Sequence, residues 1–60
     1  MIGRILVVDD EEKIRLIIRK YGEFEGYTID EASNGMEAVE KSMTQDYDLL
    51  IMDVMMPELD

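Results

Sequence analysis

Leu49-Leu50-Ile51-Met52-Asp53-Val54-Met55-Met56-Pro57 is the stretch from which the fold is read. Four apolar residues run into one carboxylate, and a proline closes the segment. Strands buried on both faces read as continuous apolar runs, so Asp53 falls where such a strand ends. Burying a charge is costly unless it is paired or bound to a metal. Asp53 is therefore a candidate functional residue, whose partners must come from elsewhere in the chain.

Ile5-Leu6-Val7-Val8 is a second β-branched, apolar run, and it ends in Asp9-Asp10. Asp10, Glu11 and Glu12 then suit the opening of a helix, where acidic side chains face the positive end of the dipole. Ile14, Ile17, Ile18, Tyr21 and Phe24 recur at helical spacing and predict the buried stripe of that helix. Glu12, Arg15, Arg19 and Glu23 are expected on its wet face. Leu16 projects near the centre of that polar face, either as an isolated exposed leucine or as part of a docking surface. Gly22 costs a helix about 1 kcal/mol relative to alanine, which predicts a frayed last turn.

Gly26 punctuates the helix end, and residues 27–32 alternate as an edge strand with one wet face would. Asn34 followed by Glu37 resembles a capping box with asparagine in place of Ser or Thr. Met36, Val39 and Met43 are expected on the buried side of the second helix, with Glu37, Lys41 and Thr44 away from it. Gln45-Asp46-Tyr47-Asp48 leads back to the opening stretch. Strand, helix, strand, helix, strand implies a parallel α/β sheet with right-handed crossovers. The alternating strand belongs at an edge, so the order is 2-1-3. Chain direction then gathers Asp9, Asp10 and Asp53 at one carboxyl end, where open α/β sheets bind ligands.

Composition narrows the chemistry. The 60 residues make one domain at most and contain neither cysteine nor histidine, which excludes disulfides, the usual zinc sites and His-based triads. Six basic against fifteen acidic residues, a net charge of −9, argue against direct contact with nucleic acid or an anionic membrane. The longest apolar stretch is far short of the roughly 20 residues a bilayer span needs. The N-terminus also lacks the pattern of a signal peptide, so a cytoplasmic location is expected.

Three carboxylates brought together raise one another's pKa, and either protonation or a divalent cation relieves them. An all-oxygen ligand set at neutral pH favours Mg²⁺ with open positions that can meet a phosphoryl oxygen. An adjacent aspartate is then a competent nucleophile. A solvent-facing acidic loop without metal is the competing reading of the same residues.

The segments "ILVVDDEEKIRLIIRKY", "EGYTIDEASNGMEAVE" and "YDLLIMDVMMPELD" together resemble the receiver domain of bacterial two-component response regulators, over the entire chain. The resemblance implies a flavodoxin-like fold, of which residues 1–60 would be the N-terminal half. It implies that Asp53 is the phosphoacceptor for a histidine kinase. Asp10 and Asp53 would ligate Mg²⁺ directly, Asp9 mainly through water, and Met55 through its backbone carbonyl, with Pro57 fixing the loop. The first helix would be the kinase-docking surface. By the same resemblance the chain is modified by an enzyme and is not one itself.

A whole receiver is expected to have five strands in the order 2-1-3-4-5 and about twice this length. The hydroxyl residue after strand four and the lysine after strand five are then missing, and Lys13, Lys20 and Lys41 do not occupy that lysine's place. The third strand would be left with an open edge, which predicts self-association into a homo-oligomer. Two further functions compete: a non-signalling, self-associating half-domain without a working switch, and a metal-dependent phosphatase. The phosphatase would be expected to carry a second carboxylate two positions after the nucleophile, where Met55 stands.

Overall fold

The computed structural model describes residues 3–52, which form the strand β1 (Arg4–Val8), the helix α1 (Glu12–Phe24), the strand β2 (Thr28–Ala32), the helix α2 (Gly35–Thr44) and the strand β3 (Leu49–Met52). The sheet is parallel with order β2-β1-β3, as the apolar patterning requires. The register sets Ile5 between Ile29 and Leu49, and Val8 between Ala32 and Met52. Since side chains alternate across a strand, each face of the sheet has its own core. Ile5, Val7 and Ile29 pack with Ile18 and Ile51 beneath α1. Leu6, Val8, Ala32 and Ala38 pack with Tyr47 and Met52 beneath α2.

Both helices lie chiefly over β1 and β2, and β3 reaches their cores only through Ile51 and Met52. That placement corrects the two predicted helical stripes. In α1 Ile18 reaches the core, whereas Ile14, Ile17, Tyr21 and Phe24 are exposed, Phe24 by 86%. In α2 the buried positions are Gly35 and Ala38, while Met36, Val39 and Met43 are exposed, Met43 by 79%. Periodicity located the apolar flank of each helix correctly, but that flank extends past the strands that cover it. Met36, Val39 and Met43 instead line an open groove of about 630 Å³ with Leu50 and Met52. β3 also departs from the reading as a strand buried on both faces. Leu49 and Leu50 are half exposed, and among the described residues β3 pairs along one edge. β2 is the other edge strand, as expected, but it has no wet face. Ile29 and Ala32 are buried on opposite sides, and the intervening Asp30 and Glu31 are ion-paired.

The helix ends follow the sequence signals, with one exception. Gly26 at φ 96° closes α1: its N–H donates to the Glu23 carbonyl (3.0 Å) and that of Tyr27 to the Gly22 carbonyl (3.0 Å), a Schellman arrangement. Gly22 does not fray the last turn. A Cβ there would lie 2.5 Å from Ile29 Cδ1, so the glycine lets α1 settle onto β2. Asn34 caps α2 by accepting the Glu37 N–H at 2.8 Å. Glu37 reaches back one residue further than in a capping box, accepting from the Ser33 N–H (2.8 Å) and hydroxyl (2.7 Å). Two residues at the start of the sheet fix the N-terminal edge. Asp48 accepts the Arg4 N–H at 2.8 Å, and Asp30 accepts from both Arg4 Nη1 (3.0 Å) and the Tyr47 hydroxyl (2.7 Å).

Candidate functional site

β1 delivers Asp9 and Asp10 to the carboxyl end of the sheet, beside the ends of both neighbouring strands. The Asp9 N–H continues the ladder to the Ala32 carbonyl (3.1 Å), and Val8 is level with Met52 on β3. Asp53 is the next residue in sequence after Met52; it and Met55 and Pro57 lie outside the described residues.

The two described aspartates are in different surroundings. Asp9 is 8% exposed, and its Oδ1 accepts the Glu11 N–H at 2.9 Å across the turn that leads into α1. Asp10 is exposed. Adjacent residues at a strand end point apart, so Asp9 is held inward by its turn while Asp10 meets solvent. No group of three potential metal-ligating side chains forms among the described residues. The two aspartates nonetheless suit a hard cation: both are carboxylates, and the chain has no softer cysteine or histidine donor.

Sequence reading did not find the second part of this site. Arg15, expected on the wet face of α1, is half-buried and turned toward the sheet end. Its Nη1 donates to the backbone oxygen of Asp9 at 2.7 Å and its Nε to Glu31 Oε1 at 2.9 Å. Arg19 Nη1 donates to the other Glu31 oxygen at 2.8 Å, and Arg19 Nε to Glu23 at 3.1 Å. Burial alone would raise the Glu31 pKa, but the hydrogen bonds from Arg15 and then Arg19 outweigh it and hold the carboxyl below its usual range. Arg19 is raised by its bonds to Glu31 and Glu23. Lys41, expected to point away from the core, donates from Nζ to the Glu31 carbonyl and lies 3.6 Å from Glu37. The usable signal was strand parity: Glu31 shares the α1 face of β2 with Ile29, so an acid there needs a cation from α1. Leu16 is exposed, as anticipated, without a described contact that gives it a role.

Comparison with known proteins agrees with this architecture. The family described as "Response regulator receiver domain" matches residues 5–60. The chain is 54% identical over 57 residues to the transcriptional regulatory protein ResD of Bacillus subtilis, covering 95% of this chain and 24% of ResD. It is 47% identical over 60 residues to the transcriptional regulatory protein SrrA of Staphylococcus aureus, covering 100% of this chain and 25% of SrrA. The fold superposes on the chemotaxis response regulator CheY4 of Vibrio cholerae with a TM-score of 0.90 at 33% identity, covering 95% of this chain and 48% of that one. The Thermotoga maritima response regulator TrrA, solved in complex with Mg²⁺–BeF, gives 0.86 at 51% identity, with coverages of 92% and 48%. The chain thus spans about a quarter of the curated relatives and about half of the solved regulators. Among the described residues no helix is long and apolar enough to cross a membrane.

Proposed function

The chain belongs to the response regulator receiver family, and from that premise we propose that it carries the phosphoacceptor and cation-binding half of a two-component signalling switch. The observation that carries the reading is the placement of Asp9 and Asp10 at the carboxyl end of β1, level with the strand whose next residue in sequence is Asp53. A relative solved with Mg²⁺–BeF supports a magnesium-dependent phosphoryl site in the family.

In this mechanism a carboxylate oxygen of Asp53 attacks the phosphorus of a kinase phosphohistidine. The new O–P bond forms as the P–N bond breaks, and the leaving imidazole nitrogen keeps the electron pair and takes a proton from solvent. Asp10 and Asp53 would hold Mg²⁺ directly, Asp9 mainly through water, and Met55 through its carbonyl. Bound magnesium supplies positive charge that offsets both the clustered carboxylates and the transferring phosphoryl group. Asp9, kept inward by the Glu11 N–H, shapes the turn that aims Asp10. The chain is the acceptor in this transfer and acts on no substrate of its own. A histidine kinase is its partner and the cytoplasm its compartment, while a net charge of −9 opposes contact with nucleic acid. A half-domain with no switch is not favoured by the family match.

Incubation with Mg²⁺ and a small acyl-phosphate donor, followed by intact mass, tests the reading. A phosphoryl adduct that disappears in Asp53→Asn is expected. An adduct that persists in Asp53→Asn, or none in the presence of a labelled full-length receiver, counts against it.

A further inference from the structure

The Arg15 guanidinium joins two things that the chain order keeps apart: the peptide that leaves β1 and the carboxylate near the end of β2. Nη1 donates to the Asp9 carbonyl at 2.7 Å, and Nε donates to Glu31 at 2.9 Å. Only 15% of the Arg15 side chain is exposed, against 24% for Glu31, so the pair is shielded on both sides. Glu31 is itself anchored. Its backbone lies level with Val7, its carbonyl accepts from Lys41, and its second oxygen accepts from Arg19.

A peptide unit is planar, so holding the Asp9 carbonyl fixes ψ of Asp9 and φ of Asp10 together. Those two angles set the direction in which Asp10 leaves the sheet. The Asp9 N–H is fixed by the Ala32 carbonyl, and the Asp9 side chain by the Glu11 N–H. Arg15 supplies the remaining constraint. Charge cannot be its contribution, because a cation near an acidic site opposes a second cation. Arg15 and Arg19 are moreover matched by Glu23 and Glu31, so the four charges cancel.

Building on the functional reading above, we infer that Arg15 is a positioning residue for the cation site: clamped to Glu31, it fixes the Asp9–Asp10 peptide and so the direction of the carboxylates presented to Mg²⁺. Arginine is required because a planar fork can serve two acceptors at once, whereas lysine offers a point charge on a flexible stem.

The test compares Arg15→Lys with Arg19→Lys. Both keep the charge and both alter a bond to Glu31, but only the first removes a bond to Asp9. Mg²⁺ affinity is measured by calorimetric titration of the whole chain, and amide exchange at Glu11 is measured in metal-free protein. Arg15→Lys is expected to weaken Mg²⁺ binding about tenfold, the scale of outer-shell losses at metal sites, and Arg19→Lys by less than about twofold. Glu11 exchange is expected to quicken in Arg15→Lys alone. Undiminished binding in Arg15→Lys, or equal losses in both variants, overturns the inference and leaves the functional reading standing. No Mg²⁺ binding by the unsubstituted chain overturns both. Should Arg15→Lys fail to fold, Arg15→Gln is compared with Arg19→Gln: each loses one charge and one arginine bond to Glu31, and only the first also loses the guanidinium bond to Asp9.

Discussion

A Cβ placed on Gly22 would lie 2.5 Å from Ile29 Cδ1 and 3.0 Å from Ile29 Cγ1. The last turn of α1 therefore rests its backbone directly on the Ile29 side chain of β2, and the glycine is a packing residue.

Two opposing effects decide what Gly22→Ala does. Helix propensity favours alanine by about 1 kcal/mol, while forcing an extra methyl into a packed site costs roughly 1–3 kcal/mol. The overlap wins because Ile29 is buried, and a net loss of about 1 kcal/mol is expected from denaturant unfolding. In an Ile29→Val background, which removes the Cδ1 methyl, the same substitution should turn neutral or stabilising. An unchanged loss there would show that the contact with Ile29 is not the cause.

Tyr47 and Asp30 form a pH-sensitive pair. The Tyr47 hydroxyl, ahead of Arg4, holds the Asp30 carboxyl below its usual range. A carboxyl with a depressed folded-state pKa contributes stability at neutral pH, and that contribution is lost as pH falls through the folded value. Tyr47→Phe should therefore cost about 1 kcal/mol near neutrality, with the difference from the parent shrinking in acid. On the alkaline side, burial and then the Asp30 bond push the Tyr47 phenol up to about 12. A raised phenol stabilises the fold below the unfolded value of about 10 and loses that contribution as pH rises through the folded one. Absorbance titration should show a tyrosine step near 12, and Asp30→Asn should lower it.

Asn34→Ala removes the acceptor for the Glu37 N–H and should destabilise the chain by about 1 kcal/mol. Asn34→Ser should recover most of the loss, since serine can accept the same bond. Thermal unfolding of the three proteins at one pH distinguishes a cap from a general surface effect.

The outer edge of β3, unpaired among the described residues, bears on assembly. Leu49 and Leu50 are half exposed on opposite faces, and among the described residues the outer edge has no partner strand. Two such edges can satisfy each other in an antiparallel pair about a two-fold axis. A charge of −9 on each copy opposes that approach, so association should strengthen with salt as repulsion is screened. Sedimentation at low and high ionic strength measures this, and Leu50→Lys should shift the population to monomer. A monomer at every salt and concentration would exclude pairing through the edge.

The order of elements, the 2-1-3 sheet, the Gly26 stop, the Asn34 cap and the location of Asp9 and Asp10 at a strand's carboxyl end were all determined by the chain's local patterns. Such features depend on periods of two or 3.6 residues and on single special dihedrals, which a short window contains in full. Which side of each helical stripe is covered, why Gly22 is needed, and the pairing of Arg15 with Glu31 and Asp9 were decided by the tertiary structure alone. They depend on where one element lies against another: the register of β2 on β1 sets Glu31 under Arg15, and the lateral position of α1 leaves Tyr21 and Phe24 uncovered while Ile18 is partly buried against the core. An arginine four residues after Glu11 looks the same in sequence whether it faces water or fastens the end of a strand.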